Sequence, residues 1–150
     1  MRDIISMVLA GGRVEELSVL TAVRPKAAVP FGGQYRFIDF TLSCLMRADL
    51  ERVGVLSLYR PSSLIDHLGS GESWDLIGRG RGVKVLPPYT HEAGSRWYRG
   101  TADAVWQNLN FIRDHAPRDV LILGGDHVHD VDLGAVIEQF DRMQGLRLLI

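Results

Sequence analysis

Ile4-Ile5-Ser6-Met7-Val8-Leu9, running directly into Ala10-Gly11-Gly12-Arg13, is the stretch that decides the fold. An apolar run that stops on paired glycines predicts a buried β-strand followed by a tight loop. Glycines in that place let backbone N–H groups come close to a bound anion, which is how nucleotide phosphates are commonly held. The spacing is not the G-x-G-x-x-G of a dinucleotide-binding turn, since Arg13, Val14 and Glu15 follow Gly12, so a Rossmann dehydrogenase is disfavoured. Taken alone, a glycine pair is as often an ordinary turn as a phosphate loop.

Outward from this strand, similar short runs recur at 53–58, 83–86, 120–123 and 146–150. Helix-spaced apolar positions lie between several of them, at Ile38, Leu42, Leu45 and Met46 and again at Val105, Leu109 and Ile112. The alternation predicts an α/β fold, with a Rossmann-like, mostly parallel sheet flanked by helices. Helices are expected over 38–48 and 102–115 and again after Asp132, with Thr101 and Asp132 as N-caps. The stretches 69–82 and 87–100 are expected to be loops. The last run stops at the chain end, so the natural protein is expected to continue past it.

Composition narrows the function. With 150 residues, 46% hydrophobic and 23% charged, the chain is long enough for one domain with a core. Seventeen basic against eighteen acidic residues leave a net charge of −1, so no global field draws in nucleic acid or an anionic membrane. The single cysteine, Cys44, sits among apolar neighbours and is expected to pack in a helix within a reducing compartment. No run is long enough to cross a bilayer and the N-terminus lacks a leader pattern, so a cytoplasmic location is expected.

Three groups carry candidate chemistry. The first is the glycine loop. The second is Arg24 and Lys26, two cations stiffened by Pro25 soon after that loop, where they can place positive charge beside phosphates; a solvated basic loop is the bland alternative. The third is Gly124-Gly125-Asp126-His127, at the carboxyl end of the fourth apolar run. Sites in open α/β sheets lie outside the carboxyl ends of strands, so Asp126 stands where a Mg²⁺ carboxylate belongs. His127, His129 and Asp130 are expected to be turn residues, because no paired ligand spacing is present.

In this order the pieces resemble the bacterial glucose-1-phosphate adenylyltransferases. The resemblance is carried by Met7-Val8-Leu9-Ala10-Gly11-Gly12, Leu20-Thr21 with Arg24 and Lys26, the stretch 29–33, Tyr35-Arg36-Phe37-Ile38-Asp39-Phe40, Leu86-Pro87-Pro88, the stretch 97–105, and Gly125-Asp126-His127. It implies a fold of the nucleotide-diphospho-sugar transferase type, with 1–150 as the N-terminal part of the catalytic domain. The rest of that domain and a C-terminal β-helix domain would lie outside this chain. It further implies a reaction joining ATP to glucose 1-phosphate, yielding ADP-glucose and pyrophosphate for glycogen or α-glucan synthesis, in a homo- or hetero-oligomer. By resemblance Lys26 and Asp126 are catalytic, and Asp126 binds Mg²⁺. Leu9, Ala10, Gly11, Gly12, Arg13, Arg24, Gly100 and Thr101 contact the nucleotide.

The chain departs from that pattern at Val14, Glu16 and Val19, where relatives carry glycine, arginine and proline, and at Gln34, where many carry lysine. Reversing one charge about 5 Å from a phosphate changes the interaction by roughly 3 kcal/mol or more. Ser63 to Gly71, followed by Trp74-Asp75-Leu76, resembles instead a catalytically reduced companion subunit. That role, and a sugar nucleotidyltransferase of different base or sugar choice, stand beside the first reading.

Overall fold

The computed structural model describes residues 3–11, 17–57, 59–78, 80–88, 90–91, 94–95 and 98–143. Its centre is a four-stranded sheet of β1 (Ile4–Leu9), β4 (Arg52–Leu56), β5 (Gly82–Leu86) and β8 (Asp119–Gly124), in the order β5-β4-β1-β8 and parallel throughout. These are the four apolar runs expected there, with edges moved by a residue or two. The run at 146–150 lies outside the described residues.

The helices are amphipathic and cover both faces of the sheet. On one face α2 (Phe37–Arg47), α3 (Ser62–Leu68) and α6 (Leu133–Arg142) bury Ile38, Leu42, Leu45, Leu64, Leu68, Leu133 and Ile137 against Val8, Val53 and Val55. On the other, α4 (Thr101–Gln107) and α5 (Leu109–His115) pack Ala104, Phe111 and Ile112 against Met7, Leu56 and Leu86. Burying strands on both faces is what allows near-continuous apolar runs in a parallel sheet. Cys44 is buried in α2, as its neighbours predicted. Minor elements are α1 (Ser18–Thr21) and two short antiparallel ladders, β2 (Pro30–Phe31) with β3 (Tyr35–Arg36) and β6 (Thr90–His91) with β7 (Gly94–Ser95).

Three details correct the sequence reading. The helix expected over 102–115 is two helices, because Asn108 is buried and its Nδ2 donates to the Ala104 carbonyl and the Tyr98 hydroxyl, each at 2.9 Å. An asparagine that bonds the backbone through its side chain interrupts a helix. Thr101 is the first helical residue and Gly100 the cap, since Asp103 reaches back from the first turn to accept the Arg99 N–H at 2.9 Å. The stretch 87–100 contains the β6–β7 ladder, and 69–82 contains a 3₁₀ turn at Glu72–Trp74 that buries Trp74. Asp132 caps α6 as expected, accepting the Ala135 N–H at 3.0 Å.

Candidate functional site

Parallel register puts the strand ends in one row. Leu9 pairs with Leu56 and with Gly124, and Leu56 pairs with Leu86. The chain leaves β1 toward β4 and β5, then returns to the far side of β1 to form β8, so the topology switches between β1 and β8. Helices diverge onto opposite faces at such a point, and the crevice they leave beyond the strand ends is where open α/β sheets bind ligands.

The two loops at the switch are fastened to each other. The Gly125 N–H donates to the Leu9 carbonyl at 2.9 Å and the Ala10 N–H to the Leu56 carbonyl at 2.9 Å. A Cβ on Gly125 would stand 2.8 Å from Val8 Cγ1, so a glycine is needed for the loop after β8 to lie this close to β1. From the opposite side Thr41, fully buried on α2, donates its hydroxyl to the Gly124 carbonyl at 2.9 Å.

Above these loops opens a cavity of about 380 Å³, within the roughly 300–1,000 Å³ that small-molecule clefts occupy. Part of its lining is apolar, from Leu9, Leu56, Tyr98 and Ala104 of one hydrophobic cluster; Asp126 and His127 supply a polar part, and Gly11, Gly100, Thr101 and Gly124 complete it. The Tyr98 ring is fixed by its hydroxyl, which donates to the Leu86 carbonyl at 3.2 Å and accepts from Asn108. Burial pushes the Tyr98 phenol above its ordinary pKa, with the charge of Asp103 adding to the shift against the Asn108 hydrogen bond. A larger hollow of about 530 Å³ lies among Phe31, Tyr35 and Phe40. Both carboxylates lining it are engaged, Asp39 by His67 at 2.6 Å and Asp130 by Arg47.

Lys26 and Asp126 meet at the polar part. Lys26 opens a 3₁₀ turn, Lys26–Ala28, closed by Ala28 N–H to the Pro25 carbonyl at 2.9 Å, with Ala27 and Ala28 buried beneath. This rigid turn sets Nζ 3.2 Å from Asp126 Oδ2, each side chain about a quarter exposed at 26% and 28%. The other carboxylate oxygen, Oδ1, is 3.3 Å from His127 Nδ1. A lone carboxylate of this kind suits Mg²⁺, a hard ion that keeps several waters and shares phosphate oxygens. Among the described residues there is no cluster of ligands that would cage a metal by itself.

Of the residues singled out from sequence, Leu9, Gly11, Gly100, Thr101 and Asp126 line this cavity and Lys26 reaches it through Asp126. Ala10 is buried beneath the loop and supports it. Arg24 is not among the lining residues; its charge falls on Arg36, whose pKa is lowered by burial and then by Arg24. Gly12, Arg13, Val14, Glu16 and Trp97 lie outside the described residues. Leu56 and Ala104 were not expected at the site, whereas Gly124 and His127 belong to the third candidate group and Tyr98 to the stretch 97–105, with no role given to them there. Leu56 was accessible to the rule that strand carboxyl ends form the site, whereas Ala104 needed knowledge of which helix covers which face.

Comparison with known proteins agrees with this geometry. The family model described as nucleotidyl transferase matches residues 5–148. The chain is similar to the glucose-1-phosphate adenylyltransferase of Clostridium perfringens (strain SM101 / Type A), with 48% identity over 137 residues, covering 91% of this chain and 35% of that protein. It is 49% identical over 131 residues to the same-named protein of Clostridium acetobutylicum, covering 87% and 34%, and 48% identical over 132 residues to that of Fervidobacterium nodosum, covering 88% and 32%. The chain thus spans about a third of the length of these curated relatives. Among solved structures, a Bacillus anthracis protein assigned as a glucose-1-phosphate thymidylyltransferase, in complex with sucrose, superposes with a TM-score of 0.71 at 21% identity. It covers 94% of this chain and 51% of that one. At that identity the likeness speaks for the fold.

Proposed function

Since this chain belongs to the nucleotidyl transferase family, we propose that it serves the glucose-1-phosphate adenylyltransferase reaction, forming ADP-glucose and pyrophosphate from ATP and glucose 1-phosphate. The observation that carries the reading is the meeting of Lys26 and Asp126, 3.2 Å apart, at the switch point of the sheet and at the polar part of a cavity whose lining is also in part apolar. The names of the relatives supply the choice of substrates.

In this reaction a phosphate oxygen of the sugar 1-phosphate attacks the α-phosphorus of ATP in line. A new P–O bond forms as the bond to the bridging oxygen breaks, and pyrophosphate leaves with that electron pair. Such a step asks the protein mainly for positioning and for neutralisation of charge. The base would rest against Leu9, Leu56 and Tyr98, bordered by Gly100 and Thr101. Backbone at Gly11 would approach the phosphates, and the Lys26 ammonium would turn from Asp126 to a phosphate oxygen. Asp126 would hold a divalent cation, which when bound supplies further positive charge to the triphosphate. The product feeds glycogen or α-glucan synthesis in the cytoplasm, from an oligomeric protein.

Binding of ATP with Mg²⁺, followed by calorimetry for the wild type, Lys26→Ala and Asp126→Asn, tests the reading together with pyrophosphate release on addition of glucose 1-phosphate. Metal-dependent ATP binding that both substitutions weaken at least about tenfold is expected. ATP binding that neither substitution alters would overturn it.

A further inference from the structure

We propose that Asn108 is the positioning residue for Tyr98, holding it by the phenol hydroxyl so that the ring stands fixed in the cavity wall and offers a nucleotide base apolar surface and no polar tip; this rests on the reading that the base lies against Leu9, Leu56 and Tyr98. Asn108 sits at the joint of α4 with α5, is only 5% exposed and is not itself among the residues that line the cavity. Its Nδ2 donates to the Tyr98 hydroxyl and to the Ala104 carbonyl, each at 2.9 Å, and both of those residues do line it. One buried amide thus braces two parts of the wall.

The direction of these bonds follows from what each group can do. The Ala104 carbonyl only accepts, so Asn108 meets it with its amide NH₂ and not with its oxygen. The Tyr98 hydroxyl therefore accepts from Asn108 and gives its single proton to the Leu86 carbonyl at 3.2 Å. That carbonyl also accepts the Ser57 N–H at 3.3 Å, so two donors already occupy its lone pairs. With the phenol proton and the Leu86 carbonyl both engaged, neither is left to read the edge of a base, and what this wall presents is the ring together with Leu9 and Leu56. Contact of that kind depends on where the ring stands. Its place is set at the hydroxyl from two sides, by the end of β5 and by the α4–α5 joint.

The test measures, by calorimetry with Mg²⁺, the affinity for ATP and for inorganic tripolyphosphate, which has no base. The proteins are the wild type, Asn108→Ser, Tyr98→Phe, the double variant and Tyr98→Ala, with melting curves showing that each is folded. A serine hydroxyl bonds the carbonyl four residues back and is too short to reach the phenol, so Asn108→Ser keeps the brace on Ala104 and removes the tether. Tyr98→Phe removes the tether from the other side and keeps the ring. Each is expected to weaken ATP binding about three- to tenfold, the double variant no further than either alone, and none to alter tripolyphosphate binding. A role confined to the fold would weaken both ligands or neither. ATP affinity unchanged in Asn108→Ser, a double variant that loses the product of the two single factors, or tripolyphosphate binding that falls in step with ATP overturns the positioning role of Asn108. Tyr98→Ala separates the two layers of the argument. A loss of at least about fivefold for ATP is expected, and ATP affinity left as it was would overturn the placement of the base while the Lys26–Asp126 site stands.

Discussion

Thr41 and Gly124, 83 residues apart in sequence, share a hydrogen bond of 2.9 Å from the threonine hydroxyl to the glycine carbonyl. It ties the end of β8 to the middle of α2, within a core that excludes water from Thr41. Thr41→Val keeps the shape and leaves the carbonyl without this partner, so a loss of about 1–3 kcal/mol is expected. Thr41→Ser is expected to keep most of it, and urea denaturation of the two variants gives the comparison.

The Lys26–Asp126 pair is expected to matter little for stability and much for binding. Both side chains are partly exposed, and pairs of that kind contribute about 0–1 kcal/mol. Lys26→Ala should therefore shift the denaturation midpoint only slightly while removing most of the nucleotide affinity. A large loss of stability without a loss of affinity would assign the pair to the fold instead.

Gly125→Ala places a methyl 2.8 Å from a methyl of Val8, which is buried in the central strand. Relief requires the β8 loop to lift from β1, at a cost of about 1–3 kcal/mol. Because the same movement carries Asp126 away from Lys26, thermal melting and ATP calorimetry are expected to decline together. Gly54→Ala is expected to cost stability too, since its methyl would stand 2.7 Å from Leu86 Cδ1 and 2.8 Å from Phe111 Cε1.

Tyr98 links the cavity wall to alkaline stability. Its phenol is raised by burial, so the folded state holds the proton more tightly than the unfolded state, whose value is about 10. Its contribution is fully present below that value and is lost as pH rises through the folded value, because the unfolded chain then binds fewer protons. Denaturation of wild type and Tyr98→Phe between neutral pH and strongly alkaline pH isolates the effect. The wild type should lose stability more steeply at the alkaline end.

Much of this architecture was legible because its causes are local. Ile4 to Leu9 is an apolar run closed by glycine, and Asp132 precedes a periodic apolar stretch, so both appear where patterning alone puts them. The break at Asn108 was not legible, since its cause is the Tyr98 hydroxyl ten residues earlier and across a loop. Lys26 and Asp126 stand out in the sequence by residue type and by position after a proline or a strand, and the register of β1 with β8 brings them together. His127 lines the cavity because the register of β8 with β1 carries the loop after β8 to the strand ends, which residue type alone does not reveal. Arg24 shares loop and charge with Lys26, yet only Lys26 pairs with Asp126, while the charge of Arg24 acts on Arg36.

The pairing of β1 with β8 also sets a timetable for synthesis. β8 comes long after β1 in the chain, so β1's partner on that side is not available until residues 119–124 have been added. During that interval one edge of β1 has no strand beside it, and the Lys26–Asp126 contact does not exist. The Lys26–Asp126 pair, on which the proposed nucleotide site depends, is therefore assembled only once β8 has docked beside β1. A ligand bound there would stabilise the β1–β8 ladder by mass action.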